Sequence, residues 1–142
     1  IAMILKEVGK KDKDIKLFIE QMGSSSDTFT YFNTRDLGSL NNHIITILLY
    51  EDNNPIGYGH LDKDGETVWL GICIVESKVK LGYGTKLMSY LTNYADQYKI
   101  NLKLSVHKLN PEAVGLYKKF RFTKTSECDK SYYFSRFFVD NE

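Results

Sequence analysis

Short blocks of apolar residues alternate with polar turns along the chain, and their spacing predicts seven β-strands. The blocks are rich in β-branched and aromatic residues and are bounded by Gly, Asn, Asp or Pro, which is typical of strands. Strands are predicted over residues 4–8, 43–50, 56–61, 67–75, 100–106, 122–126 and 132–139. The segments 52–55 and 62–65 carry the residues of tight hairpin turns. The first half of the chain is therefore expected to form an antiparallel meander.

Other blocks place apolar residues three and four positions apart, as on one face of a helix. Ile15, Phe18, Ile19 and Met22 predict a helix capped by Asp12 or Asp14 and ending near residue 22, and a short helix is expected at about 36–41. A longer apolar stripe after residue 84 predicts a further helix. Asn110 as N-cap and Pro111 as first helical residue predict another helix, which runs to about residue 121. The predicted order is β-α-α-β-β-β-α-β-α-β-β, a mixed α/β fold with parallel pairing across two helical crossovers in the second half.

Composition narrows the class of protein without identifying it. The chain has 142 residues, 42% hydrophobic and 26% charged, with a net charge of +1, so one domain over 1–142 with its own core is expected. This charge gives no field for nucleic acid or an acidic membrane. Cys73 and Cys128 lack the spacing of a metal or redox site and suit a reducing compartment, so no metal and a cytoplasmic location are expected. Ile1-Ala2 before Met3 is expected to be a remnant of cloning, and no signal peptide or membrane-spanning stretch is apparent.

The stretch 79–88 is where the chemistry is expected, because a strand runs into it and an amphipathic helix runs out of it. Gly82 and Gly84 lie between them with Lys80 and Lys86. Glycines allow a tight turn and close approach of a ligand, and the free N–H groups of a helix start attract anions. The pattern indicates a phosphate or pyrophosphate site, and the alternative is a turn whose glycines serve packing only.

A second, more specific block reads Asn110-Pro111-Glu112-Ala113-Val114-Gly115-Leu116-Tyr117-Lys118-Lys119-Phe120-Arg121-Phe122. It is similar to the Asn-x-x-Ala-x-x-Leu-Tyr-x-x-x-Gly-Phe motif of the GNAT superfamily, and the chain resembles its small bacterial members. The block 79–84 resembles that family's [Arg/Gln]-x-x-Gly-x-[Gly/Ala] motif. Val79 and Arg121 depart from the two motifs. The resemblance implies a splayed mixed β-sheet flanked by helices.

The resemblance also implies acetyl-CoA as cosubstrate and direct attack of a primary amine on its thioester. Tyr117 resembles the general acid that protonates the leaving thiolate, and Asn110 the residue that binds the pantetheine side. By the same resemblance the cofactor is expected to contact Ile72, Cys73, Ile74, Lys80, Gly82, Tyr83, Gly84, Thr85 and Asn110, with main-chain N–H groups of the strand 72–74 stabilising the oxyanion.

The proton acceptor and the acetyl acceptor are less strongly indicated. His60 is the first choice as general base because it lies beside the cofactor strand and titrates near neutral pH, with His43, His107 and Glu76 as alternatives. Tyr31, Arg35, His43 and Trp69 are expected to bind the acceptor, with Phe29, Phe32 and Tyr58 as further aromatic candidates. Aromatic walls and one cation suit an amino sugar or a nucleotide-linked amino sugar.

Two functions remain open from the sequence alone. The first is N-acetylation of a small-molecule amine, and the alternative is a non-catalytic acyl-CoA-binding or regulatory module on the same fold. Val79 and Arg121 favour the second, whereas retention of Tyr117 favours the first. Neither nucleic acid nor a membrane is expected as a partner, and a homodimer is left open.

Overall fold

The computed structural model describes residues 2–9, 11–33 and 37–140. Within them a seven-stranded sheet is flanked by three α-helices. The strands are β1 (Met3–Glu7), β2 (His43–Glu51), β3 (Asn54–Asp64), β4 (Thr67–Ile74), β5 (Leu102–His107), β6 (Thr123–Glu127) and β7 (Ser131–Arg136). The helices are α1 (Lys13–Gln21), α2 (Tyr83–Gln97) and α3 (Pro111–Lys119), and short 3-10 turns cover Gly23–Asp27, Tyr31–Asn33, Leu37–Asn42 and Glu76–Lys78.

Local sequence signals account for the helix starts. The Asp12 carboxylate accepts a hydrogen bond of 2.8 Å from the Asp14 N–H and begins α1. The Asn110 side chain accepts one of 3.3 Å from the Ala113 N–H and begins α3, with Pro111 at the first helical position. The expected short helix near 36–41 is a 3-10 turn over Leu37–Asn42, and its predicted start at position 36 lies outside the described residues.

The two hairpin turns are tighter than predicted. Asp52 and Asn53 alone connect β2 to β3, with left-handed φ values of 47° and 70°, as a type I′ turn requires. The predicted turn over 62–65 is wrong in its first three residues, because β3 continues to Asp64 and Asp62 pairs with Trp69. The chain reverses instead at Gly65, where φ is +61°. Hydrogen bonding to β4 overrides the turn preference of the Asp residues.

The strand order in the sheet is β1-β2-β3-β4-β5-β7-β6. The antiparallel meander of β1 to β4 is confirmed, and β4 and β5 are parallel, as the crossover through α2 predicts. The second predicted parallel pair is wrong. β7 lies between β5 and β6 and is antiparallel to both. The crossover through α3 therefore places β6 two strand positions from β5, and β7 occupies the position between them.

The sheet splays between β4 and β5. Within the described residues one register pair, Trp69 with Lys103, joins these strands, and both run onward without a further pair. α2 packs on one face, where the bare backbones of Gly57 and Gly59 let its Leu87 and Leu91 approach the sheet. α1 packs on the other face, with Phe18 stacked on Tyr58. No helix in the described part of the chain is long and apolar enough to cross a membrane.

Candidate active site

The splay opens a cleft of about 540 Å³ between the carboxyl ends of β4 and β5. The start of α2 and one face of α3 close it on two sides. Nine of the predicted cofactor and catalytic residues line this cleft: Ile72, Cys73, Ile74, Lys80, Gly82, Gly84, Thr85, Asn110 and Tyr117. The structure thus brings both sequence motifs to one space, although 25 residues lie between Gly84 and Asn110 along the chain.

The backbone of β4 offers its polar groups to the cleft at alternate residues. The Val75 N–H donates to the Ile56 carbonyl across the β3–β4 pair, so the main-chain groups of Cys73 also face β3. Those of Ile72 and Ile74 face the cleft, and the Ile74 carbonyl accepts a 2.7 Å bond from the Ser25 hydroxyl. Of the three predicted oxyanion donors, the N–H of Cys73 is therefore turned away from the cleft.

The glycine turn and the start of α2 leave main-chain N–H groups without a capping side chain. Gly82 is the N-cap with φ of +82°, and a Cβ atom built on it meets no atom within 4 Å. No side chain caps α2, and its first turn carries no acidic residue. A Cβ atom on Gly84 would lie 3.0 Å from Leu116 of α3, inside the cleft. The N–H groups at the start of a 15-residue helix therefore face the cleft, and such groups attract negative charge.

The side chain of Tyr83 does not line the cleft. Its hydroxyl donates a 2.9 Å hydrogen bond to Glu51 at the end of β2, so only its main-chain N–H remains for the predicted cofactor contact. Lys80 lines the cleft and forms an exposed 3.3 Å ion pair with Glu112 of α3. A pair this exposed contributes little to stability and leaves Lys80 free to exchange partners.

Tyr117 and Asn110 reach the cleft from α3. Tyr117 is 6% exposed, its ring lies 6.1 Å from that of Phe122, and its hydroxyl makes no hydrogen bond to the described residues. Burial raises the pKa of Tyr117 well above its usual range, so the hydroxyl keeps its proton. The Asn110 oxygen caps α3, which leaves its Nδ2 amide as a donor in the cleft.

Cys73 is not a nucleophile in this setting. The thiol is 6% exposed, and burial raises its pKa to about 12. A nucleophilic cysteine needs a lowered pKa, so Cys73 serves as a small buried side chain between β4 and α1.

A second space, the aromatic cavity, has a volume of about 600 Å³ and adjoins the cleft. Its lining includes Phe29, Tyr31, Asn42, His60, Asp62, Asp64, Trp69, Ser131 and Tyr133. It shares Thr28, Phe29, Gly71, Ser105 and His107 with the cleft. The predicted Tyr31, His60 and Trp69 thus meet here, at the end of the cleft nearest the start of β4.

His60 is 2% exposed and stands directly over Gly71. A Cβ atom on Gly71 would lie 2.5 Å from His60 Nε2, so only glycine leaves room for the ring. The Tyr58 hydroxyl lies 2.7 Å from Nδ1, and burial raises the pKa of Tyr58 well above its usual range. Tyr58 therefore keeps its proton, and its hydroxyl can pair with Nδ1 of His60 in either tautomer of the imidazole.

A hydrogen-bonded chain runs behind the cavity wall. The Tyr31 hydroxyl donates to Asp62 Oδ2 at 2.9 Å, so His43 Nε2, 2.8 Å away, must donate to that hydroxyl. His43 Nδ1 then accepts from the Thr46 hydroxyl at 2.8 Å. Burial lowers the pKa of His43, and the charge of Asp62 opposes this only in part. His43 does not line the cavity; it orients Tyr31. Asp62 lines the cavity, and its Oδ1 has no hydrogen bond to the described residues.

The remaining candidates for the general base and for acceptor binding differ in whether they line the two spaces. His107 lines both spaces, and its Nδ1 accepts from the Leu109 N–H at 3.1 Å. Glu76 lines neither, because its carboxylate binds the Ser24 hydroxyl at 2.6 Å. Arg35 lies outside the described residues.

Sequence reasoning missed several residues of the aromatic cavity. Asp62 and Asp64 were placed in a turn, and Ser131 and Tyr133 carry no motif. The alternation of β7 could have put Ser131 and Tyr133 on one face, but their neighbour β5 is known only from the sheet order. Within the described chain no group of three or more His, Cys, Asp or Glu side chains could hold a metal ion.

Comparisons with solved structures find similar folds. The Campylobacter jejuni N-acetyltransferase PseH is similar at 25% identity and a TM-score of 0.68, over 95% of this chain and 97% of that chain. The Thermoplasma acidophilum PaiA N-acetyltransferase in complex with coenzyme A is similar in fold at 13% identity and a TM-score of 0.77, over 97% and 100%. A GNAT-family acetyltransferase from Streptococcus pneumoniae gives 19% and 0.74, over 97% and 100%.

A comparison with curated protein sequences finds no significant match. The model of the Acetyltransferase (GNAT) family matches residues 14–122, well over half of the chain. The protein therefore belongs to the GNAT family and is an acetyl-CoA-dependent N-acetyltransferase.

Proposed function

We propose that this enzyme acetylates the primary amine of a small molecule, an amino sugar or a nucleotide-linked amino sugar, held in the aromatic cavity. The carrying observation is that the aromatic cavity and the cofactor cleft adjoin and share Phe29, Gly71 and His107. An amine in one space therefore faces a thioester in the other. A volume of about 600 Å³ is in the range of small-molecule sites.

The lining of the cavity supports a polar, ring-shaped acceptor. The rings of Tyr31, Trp69 and Tyr133 offer flat apolar surface to a sugar face. Asp62 Oδ1 can accept from a hydroxyl or an ammonium group. Lys63 also lines the cavity and supplies a cation for a phosphate of a nucleotide-linked acceptor.

On the cofactor side, the residues fit acetyl-CoA, which supplies the thioester carbonyl. The first-turn N–H groups of α2, at Tyr83, Gly84 and Thr85, would hold the pyrophosphate beyond Gly82. The Asn110 amide would donate to the pantetheine arm. Since the cleft face of β4 presents alternate residues, the N–H groups of Ile72 and Ile74 are the proposed oxyanion and pantetheine donors, without that of Cys73.

Tyr117 is the proposed general acid. A phenol that keeps its proton, lines the cleft and is not engaged by another described side chain can donate that proton to a leaving thiolate. Its retention also argues for turnover over the binding-only alternative. Arg121, which departs from the family's glycine, keeps the left-handed φ of +68° that explains why glycine is usual there.

His60 remains the proposed base, with one condition that the hydrogen bonds impose. Its partner Gly71 is two residues from Cys73, about 7 Å along the strand at 3.4 Å per residue. For Nε2 to accept the proton of the amine, Nδ1 must carry the imidazole hydrogen and donate it to the Tyr58 hydroxyl, which lies 2.7 Å away. Asp62, whose Oδ1 accepts no hydrogen bond from the described residues, is the proposed anchor of the acceptor.

The test is an acceptor screen with acetyl-CoA, in which free coenzyme A thiol is measured with and without amine. Amino sugars and nucleotide-linked amino sugars are compared with polyamines and a lysine peptide. The highest kcat/KM is expected for an amino sugar or a nucleotide-linked amino sugar. Asp62→Asn is expected to raise the KM of that amine. Turnover of the lysine peptide alone would overturn the acceptor assignment. No amine-dependent thiol release by folded protein that binds coenzyme A would favour the binding-only module.

A further inference from the structure

One carboxylate, that of Glu51, holds both ends of the glycine turn. Oε1 lies 2.7 Å from Lys78 Nζ, and Oε2 accepts a 2.9 Å hydrogen bond from the Tyr83 hydroxyl. Lys78 comes just before the segment 79–82, and Tyr83 comes just after it. Glu51 is the last residue of β2 and precedes the two-residue β2–β3 turn, so its own backbone is fixed by the sheet.

The turn that Glu51 closes does not hold its shape by itself. Lys80 has φ of +67° and Gly82 has φ of +82°. A lysine in the left-handed region is strained and persists only where neighbouring contacts fix the chain. The Lys80 ion pair with Glu112 is too exposed to do this, because the side chains are 70% and 62% exposed. By contrast, the Glu51 side chain is 12% exposed.

The charges of this contact are complementary over a wide pH range. The hydrogen bond from Lys78 lowers the pKa of Glu51, and the same bond raises the pKa of Lys78. The hydrogen bond to Glu51 also raises the pKa of Tyr83, so the phenol stays a donor. Both oxygens of Glu51 are thus occupied by the two residues that flank the turn.

We propose that Glu51 is a positioning residue for the pyrophosphate site: through Lys78 and Tyr83 it fixes residues 79–82 so that the N–H groups at the start of α2 face the cleft. Glu51 does not line the cleft and acts only through these two partners. The inference rests on the proposed pyrophosphate role of this turn, because preorganised N–H groups bind an anion without a further ordering cost.

The experiment compares two donors. Coenzyme A binding is measured by calorimetry, and steady-state kinetics use acetyl-CoA and S-acetyl-pantetheine, which lacks the pyrophosphate. Glu51→Ala is expected to raise the Kd of coenzyme A and the KM of acetyl-CoA about tenfold, with little change in kcat or in the KM of S-acetyl-pantetheine. Glu51→Gln keeps an acceptor for Tyr83 and should recover part of the loss, and Tyr83→Phe should show a smaller loss. Glu20→Ala, an exposed carboxylate on α1, is the matched control for charge.

The outcomes separate the two assignments. Wild-type affinity for coenzyme A in Glu51→Ala would overturn the positioning role, as would an equal rise in KM for both donors. Should Glu51→Ala lower the melting temperature strongly, Tyr83→Phe, which retains the ring, decides in its place. Gly84→Ala reports on the pyrophosphate site itself. Weakened coenzyme A binding in Gly84→Ala, with wild-type binding in both Glu51→Ala and Tyr83→Phe, would refute only the positioning role of Glu51. Wild-type binding in all three variants would refute the pyrophosphate site itself.

Discussion

Removal of the Tyr117 hydroxyl is the sharpest test of the chemistry, because it changes one group and disturbs little else. The hydroxyl has no hydrogen bond to the described residues, so Tyr117→Phe breaks none of their contacts. The ring keeps its packing, including that on Phe122 at 6.1 Å. We expect the free energy of unfolding to change by less than about 0.5 kcal/mol, as for a substitution that leaves no cavity and no orphaned partner.

The catalytic effect should be much larger than the effect on stability. A lost general acid costs about 10²-fold in rate at the lower end, or about 2.7 kcal/mol in the barrier. The lower end applies because a thiolate is a better leaving group than an alkoxide and needs less help from an acid. The loss should appear equally in kcat and kcat/KM, as for an interaction made only in the transition state, while the Kd of coenzyme A stays unchanged. Because burial raises the pKa of Tyr117, the wild-type rate should not fall from its ionisation below about pH 10.

The assay is single-turnover acetyl transfer, which isolates the chemical step, together with calorimetric binding of coenzyme A. Tyr98→Phe is the matched control, because Tyr98 is 57% exposed at the end of α2, far from the cleft. A Tyr117→Phe enzyme with the wild-type single-turnover rate would refute the acid role and leave Tyr117 as a packing residue. An equal loss in both variants would point to a general effect of hydroxyl removal.

Three further predictions address the loop, the base and the core. Gly84→Ala places a methyl in the cleft and should raise the Kd of coenzyme A at least about tenfold with little change in melting temperature; unchanged calorimetric affinity would contradict the pyrophosphate assignment. His60→Gln, which keeps a hydrogen-bond partner for the neighbouring tyrosine, should slow turnover and remove the acid limb of the pH–rate profile, and a wild-type profile would move the role to Asp62 or water. Asp96 accepts two bonds of 2.9 and 3.0 Å from Arg136, so Asp96→Asn should cost about 3 kcal/mol in denaturant unfolding. Arg136 lowers the pKa of Asp96, so the ion pair stabilises the fold fully above the unfolded-state pKa of Asp96, near 3.8, and this stabilisation is lost as the pH falls below that value. Identical acid unfolding curves for the wild type and Asp96→Asn would refute this.

The sequence by itself determined those features that depend on neighbours along the chain. The caps at Asp12 and Asn110 follow from hydrogen bonds within one turn, and the glycine start of α2 follows from the left-handed φ at Gly82, so local residue types were sufficient. The spacing from Asn110 to Tyr117, two turns of one helix, put both side chains on one face before any contact was known. The family motif then gave these residues candidate roles that geometry alone leaves open.

Tertiary structure decided what depends on which strand lies next to which. Asp62 became part of β3 and of the aromatic cavity because pairing with Trp69 outweighed its turn preference. Tyr83 turned to Glu51 because the start of α2 lies beside the end of β2. The N–H of Cys73 turned to β3 because main-chain directions in a strand follow from register rather than from residue type. The cleft itself exists because β4 and β5 part after Trp69, and no local pattern encodes where two strands distant in sequence stop pairing.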